Sequence, residues 1–178
     1  LIREPDLQTQ RYIAPPSPSK IPFLSFMDLP APLSANPFID INKCYMKNMK
    51  LGSFFEGGEW TGYLCHSKRI LDLKFRAPMV GIRFQAKAST VDEPADASCP
   101  EDQGFRLNAE GTDGVGSFTL AGFIRSTGII LLRLRYDNSS ELKMNALMTP
   151  VGMVGHWRSA RVAVGMGLFW LWKREWSP

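Results

Sequence analysis

The stretch Ile130-Leu131-Leu132-Arg133-Leu134-Arg135-Tyr136-Asp137-Asn138-Ser139-Ser140-Glu141-Leu142-Lys143-Met144-Asn145-Ala146 decides the fold. Ile130, Leu132, Leu134 and Tyr136 fall on one phase of a two-residue period, and Leu131, Arg133 and Arg135 on the other. After a polar tetrapeptide the pattern resumes, with Leu142, Met144 and Ala146 opposed by Glu141, Lys143 and Asn145. Successive side chains of a strand point to opposite faces, so this alternation predicts two strands with one apolar face each. Asp137 to Ser140 supplies the turn chemistry between them. A link that short joins antiparallel neighbours, because a parallel return needs about a dozen residues.

The same grammar extends in both directions. Upstream, Leu71, Leu73 and Phe75 alternate with charges; Ile82, Phe84, Ala86 and Ala88 oppose Arg83, Gln85 and Lys87; Phe105, Leu107 and Ala109 oppose Arg106, Asn108 and Glu110; Phe118, Leu120 and Ile124 make the next apolar face. Downstream, Met153, Gly155 and Trp157 are read as inward, followed by Leu168, Trp170 and Trp172. Glu59–Leu64 opens the series. One-sided apolar faces on so many successive strands must meet each other, and closing the sheet buries them and removes its edges. The expected fold class is all-β: an antiparallel up-and-down β-barrel of about eight to nine strands, with an extended N-terminal proline-rich arm.

The division between arm and barrel is sharp. Eight of the 13 prolines lie in residues 1–37, the last of them being Pro37, and the first of the 15 glycines is Gly52. Proline removes a backbone donor and breaks helices and ladders alike. Residues 1–50 are therefore read as the arm, extended and partly polyproline II, with one short helix over Ile39–Leu51; residues 51–178 are read as the barrel. The arm carries apolar anchors at Ile21, Phe23, Leu24, Phe26, Met27 and Leu29, which imply docking, either on a partner chain or back on the barrel.

Composition bounds the function classes. Hydrophobic residues at 44% and charged residues at 21% are globular values. The net charge of +4 has no basic tail or dense stripe behind it, so nucleic acid is not expected as a partner. Three cysteines without a CxxC fit neither a disulfide framework nor a zinc site. A reducing compartment, cytoplasmic or mitochondrial, fits them. The longest apolar run, Val162–Trp172, is too short to span a bilayer, which takes about 20 residues. Residues 1–30 contain no signal-peptide hydrophobic region.

At Gly58-Glu59-Trp60-Thr61-Gly62-Tyr63 the chain resembles the opening of calycin barrels, the lipocalin and avidin group. The resemblance continues through Glu110-Gly111-Thr112-Asp113-Gly114-Val115-Gly116-Ser117-Phe118-Thr119-Leu120-Ala121-Gly122, the Thr127-Gly128 turn, Gly152-Met153-Val154-Gly155-His156-Trp157 and Gly167-Leu168-Phe169-Trp170-Leu171-Trp172. It implies a barrel plugged at one end by Trp60, with Lys173 or Arg174 as the basic companion such barrels place near their last strand. It also resembles the non-enzymatic calycin-like modules of larger intracellular eukaryotic proteins.

No arrangement of residues here matches a catalytic motif. The glycines of Gly111–Gly116 lack the Gly-Lys-Ser/Thr of a phosphate loop and read as a hairpin turn. Cys65 and His66 are adjacent, so on a strand they face apart and cannot form a nucleophile–base pair. His66 and His156 are both read as surface residues. Asp92, Glu93, Asp96, Glu101 and Asp102 lack calcium-ligand spacing and read as a solvated loop. No catalytic residue, cofactor or metal is assigned. Arg83, Lys87, Arg106, Arg133, Arg135 and Lys143 take the outward phase and read as the ordinary outer charges of a barrel; the alternative is an electrostatic patch for an acidic partner, anionic lipid headgroups or RNA.

Two functional readings follow. In the first, the chain is a non-catalytic scaffold or interaction module, an accessory subunit meeting other protein subunits through residues 1–50 and the C-terminal strand, with Phe23, Phe26, Phe169 and Leu171 as partner-binding candidates. In the second, the barrel binds a small ligand or peptide, lipocalin-like or as a substrate receptor of a ubiquitin ligase, at a mouth formed by Trp60, Phe84, Tyr136 and Trp157. The bulk of those inner residues favours a filled interior.

Overall fold

The structure is a computed structural model that describes residues 12–22, 48–49, 51–67, 73–75, 77–88, 104–125, 127–160 and 166–178. Among the described residues a short helix, α1 (Gly52–Glu56), precedes ten strand segments: β1 (Trp60–Ser67), β2 (Leu73–Phe75), β3 (Met79–Ile82), β4 (Gln85–Ala88), β5 (Phe105–Thr112), β6 (Ser117–Ile124), β7 (Ile129–Tyr136), β8 (Glu141–Thr149), β9 (Gly152–Ser159) and β10 (Met166–Lys173). A 3₁₀ turn, Arg174–Trp176, follows. Every neighbouring pair is antiparallel, and β10 pairs with β1 from Trp60↔Lys173 to His66↔Gly167. The ring β1-β3-β5-β6-β7-β8-β9-β10 is thus a closed eight-stranded up-and-down barrel.

β2 and β4 continue the line of β3 at its two ends. β2 runs along β1 with Cys65↔Phe75, while β4 runs along β5 with Gln85↔Asn108. Between β2 and β3, Pro78 supplies no amide hydrogen to a ladder. Within β3, Gly81 takes φ +70°, and the pairing of β3 with β1 shifts register between Trp60 and Gly62. Two carboxylates satisfy backbone donors along this broken line. Gly81 N–H donates to Glu59 Oε1 at 3.3 Å, and Ala86 N–H donates to Glu56 Oε1 at 3.0 Å.

The alternation read from β5 to β9 holds in the burial. Leu107, Ala109, Phe118, Leu120, Ile124, Ile130, Leu132, Leu134, Tyr136, Leu142, Met144, Ala146, Met153 and Trp157 are all buried in one contiguous core. Arg83, Lys87, Arg106, Arg133, Arg135 and Lys143 are all exposed. The Gly111–Gly116 stretch is a hairpin turn: Asp113 Oδ1 accepts from the amides of Val115 and Gly116, and its Oδ2 accepts from Tyr136 Oη at 2.6 Å.

β10 overturns the phase read from sequence. Phe169 and Leu171 are 2% and 0% exposed and point inward, whereas Leu168 is 54% exposed. The register explains this. Trp60 points inward, and its partner Lys173 shares that phase, which carries Leu171 and Phe169 inward with it. Phe169 and Leu171 belong to the core and offer no surface to a partner.

Residues 12–22 lie back against the barrel. Ile13 N–H donates to Tyr63 Oη at 2.8 Å, and Tyr63 Oη donates to Ile13 O at 3.0 Å. Ser17 N–H donates to Trp176 O, Lys20 Nζ to Ser177 O, and Ser177 Oγ to Ala14 O. Ile13 and Ile21 are buried in the same apolar cluster as the barrel core. Phe23, Phe26, most of the expected Ile39–Leu51 helix and the acidic Val91–Gln103 stretch lie outside the described residues.

Candidate functional site

The four residues proposed for a mouth sit at opposite ends of the barrel. Trp60 opens β1, opposite Lys173 where β10 finishes. Helix α1 closes this end. Phe55 stacks on Trp60 at 5.8 Å with 12° between planes, and Phe84 meets it edge-on at 5.8 Å. Phe54 lies 5.7 Å away and Trp176 6.5 Å away. Trp60 Nε1 donates to Phe55 O at 3.0 Å, so its polar edge is satisfied inside the plug.

Lys173 completes this end. Its ammonium lies 4.4 Å from the Phe54 ring centroid and 6.0 Å from that of Trp60, and donates to Gly57 O. Burial favours the neutral amine and holds its pKa below the ordinary lysine value, against the opposing pull of the Glu175 carboxylate. A ring face partly compensates the lost hydration. Lys173 therefore seals the plug.

Trp157 serves the other end. Its indole Nε1 donates to Cys65 O at 3.1 Å, and its ring stacks on His66 at 5.6 Å. His66 is thus half-buried on the inner phase, not a surface residue as the sequence suggested, because it continues the Trp60–Gly62–Leu64 row. His156 is exposed, as expected. Tyr136 is held by Asp113 and packs edge-on against Phe118 at 5.9 Å. Trp60, Phe84, Tyr136 and Trp157 are each 4% exposed or less. They fill the barrel rather than line an opening.

Two depressions mark the outside. One, of about 430 Å³, is lined by Val80, Glu110, Thr112, Ser117 and Asp137 among others. The second, of about 590 Å³, lies between Tyr12, Ile13, Pro78, Asp113 and Arg174. Neither is lined by a cysteine or a histidine. Among the described residues no group of three or more His, Cys, Asp or Glu side chains could hold a metal ion. Cys65 is buried, which pushes its thiol pKa up and makes it a poor nucleophile.

The most distinctive surface is the outer wall of β7 to β10. Register places Ile129 beside Leu147, Leu147 beside Val154, and Val154 beside Trp170. All four take the outward phase. Leu147 is 55% exposed; Ile129 and Val154 are exposed too, and Trp170 is half-buried, with its Nε1 donating to Val151 O. In the next outward row Phe123 stands beside Leu131 at one side and Leu168 lies at the other, with Asn145 and His156 between them. Further along the same strands, Arg133 stands beside Lys143 and Lys143 beside Arg158. The sequence pointed to the outward cations but not to the apolar row. The signal for that row was apolar residues at the positions where alternation calls for polar ones.

No family model, no curated protein and no solved structure matches this chain.

Proposed function

We propose that this chain is a non-catalytic interaction module: a rigid, side-chain-filled barrel that docks on a larger assembly through its outer wall. The observation that carries this reading is the row of exposed Ile129, Leu147 and Val154, ended by the half-buried Trp170. Contiguous exposed apolar surface on a folded domain marks an interaction site. The plugged ends support it as well, since Trp60 and Trp157 occupy the volume that a small ligand would need. The buried Lys173 ammonium over Trp60 supports a calycin-like relationship, in which the opening tryptophan has a basic companion on the last strand. Within the arm, residues 12–22 are engaged with their own barrel, so the wall is the docking surface that the described residues offer.

The test is site-specific photo-crosslinking in cells making the full chain. A benzophenone side chain at position 147 should give adducts heavier than the chain itself. The same group in place of Asn108, exposed on β5, should give none. Equal background at both positions would end the docking reading.

A further inference from the structure

We infer that the surface engaged by the β7–β10 wall is an anionic lipid bilayer. This rests on the docking-module reading and names its partner. Three observations on this wall point the same way.

The first is the order of its rows. Ile129, Leu147, Val154 and Trp170 form an apolar row near the helix-capped end. Four residues along the same strands stand Arg133, Lys143, Arg158 and Met166. At a rise of about 3.4 Å per residue, the two rows are roughly 14 Å apart. Side chains of the first row can enter the boundary between headgroups and acyl chains while the cations of the second stay among the headgroup phosphates. That is the arrangement of an interfacial amphipathic element, here built on a sheet.

The second is the charge. On the outward positions of β6 to β10, Glu141 is the one acidic residue, and its carboxylate lies 3.3 Å from Arg135. Arg133, Lys143 and Arg158 therefore face outward with no acid on their row. Each cation brought to an anionic leaflet contributes about 1 kcal/mol, which is a factor of about five. The apolar row and the cationic row reinforce each other only on a partner that is both greasy and negative.

The third is shape. Leu147, Leu168 and Met166 are each more than half exposed on the outside of a closed barrel, a convex wall. The depressions around Val80 and around Ile13 are not lined by these residues. Protein partners place anchor residues into pockets. A bilayer is fluid, accepts protruding side chains and needs no pocket.

Co-sedimentation of the full chain with lipid vesicles tests this. The chain should pellet with vesicles of phosphatidylcholine mixed with phosphatidylserine and pellet weakly with phosphatidylcholine alone. Combining Arg133→Gln, Lys143→Gln and Arg158→Gln should lower partitioning onto the anionic vesicles by roughly 100-fold. Combining Leu147→Gln and Leu168→Gln should abolish pelleting with both. All five positions are exposed, and unchanged melting temperatures would show that both variants fold. Wild-type chain left in the supernatant with anionic vesicles overturns the proposal. So does a triple variant that partitions as well as the wild type. If the chain ignores vesicles while position 147 crosslinks to a protein, the lipid assignment falls and the docking module stands. If position 147 gives no adduct either, both fall.

Discussion

Trp172 and Leu147 both project from the outside of the same barrel wall, yet Trp172 is fully buried and Leu147 is mostly exposed. Around Trp172, on the seam between β1 and β10, the chain supplies its own cover. Tyr63 lies 5.9 Å from the Trp172 ring and Trp170 4.8 Å from it. Trp172 Nε1 donates to Ser177 Oγ, which donates onward to Ala14 O. Around Leu147, two strands away, the described residues provide no comparable lid. Outward apolar residues in this barrel thus fall into two sets. One anchors residues 12–22 and the C-terminal tail; the other, around Leu147, is exposed among the described residues.

The contrast is broken most severely at Trp172. Trp172→Ala removes a fully buried indole from a closely packed seam. Equilibrium urea unfolding should show a loss of about 3–5 kcal/mol. The same measurement on a residue of the open wall should show almost nothing. If Trp172→Ala were tolerated, the seam would be as dispensable as the wall and the two regions would not differ.

A second probe sharpens the contrast by acting on the cover alone. Ser177→Ala removes the acceptor for Trp172 Nε1 and the donor to Ala14 O, both in a largely buried setting. Leaving such groups unpaired costs about 1–3 kcal/mol. Amide hydrogen exchange should accelerate at residues 12–17 while the amides of β7 and β8 keep their protection. Uniform acceleration throughout the barrel would mean that the tail belongs to the global fold and is not a local lid.

Tyr63→Phe is gentler, since it keeps the ring against Trp172 and removes only the hydroxyl shared with Ile13 N–H and O. Its expected cost is about 1 kcal/mol, again read as faster exchange at Ile13.

How far all this was legible in the sequence depends on how one-sided each strand is. β5, β7 and β8 announce their inner faces because charges mark the other phase: Arg133 and Arg135 oppose Leu132 and Leu134. β10 carries no such mark, since Phe169, Trp170, Leu171 and Trp172 are apolar on both phases. Its phase is set by pairing with β1, at the far end of the barrel's sequence, and local periodicity does not encode it. His66 was misread for the same reason: its side follows from the row that Trp60 begins, and not from its own polarity. The residues expected at a mouth do lie inside, but closure of the ring, not composition, put Trp60 and Trp157 at opposite ends. The candidate docking wall was half legible. Its cations stood out, while its leucines and valine looked like ordinary strand formers until registration aligned them.

The smallest expected effect is the most informative about that wall. Leu147→Thr replaces an exposed leucine on the outer face of β8 with a residue well suited to a strand. Its neighbours Ile129 and Val154 are themselves exposed, so little packing is lost. Stability should change by no more than about 0.5 kcal/mol in either direction. A leucine kept for folding would cost several times that when replaced. A change within this range would mean that burial within the barrel does not hold Leu147 in place, and that the apolar row is available for a surface outside the chain. A loss near that of Trp172→Ala would mean that some part of the chain already covers Leu147, and the wall would then be a second seam.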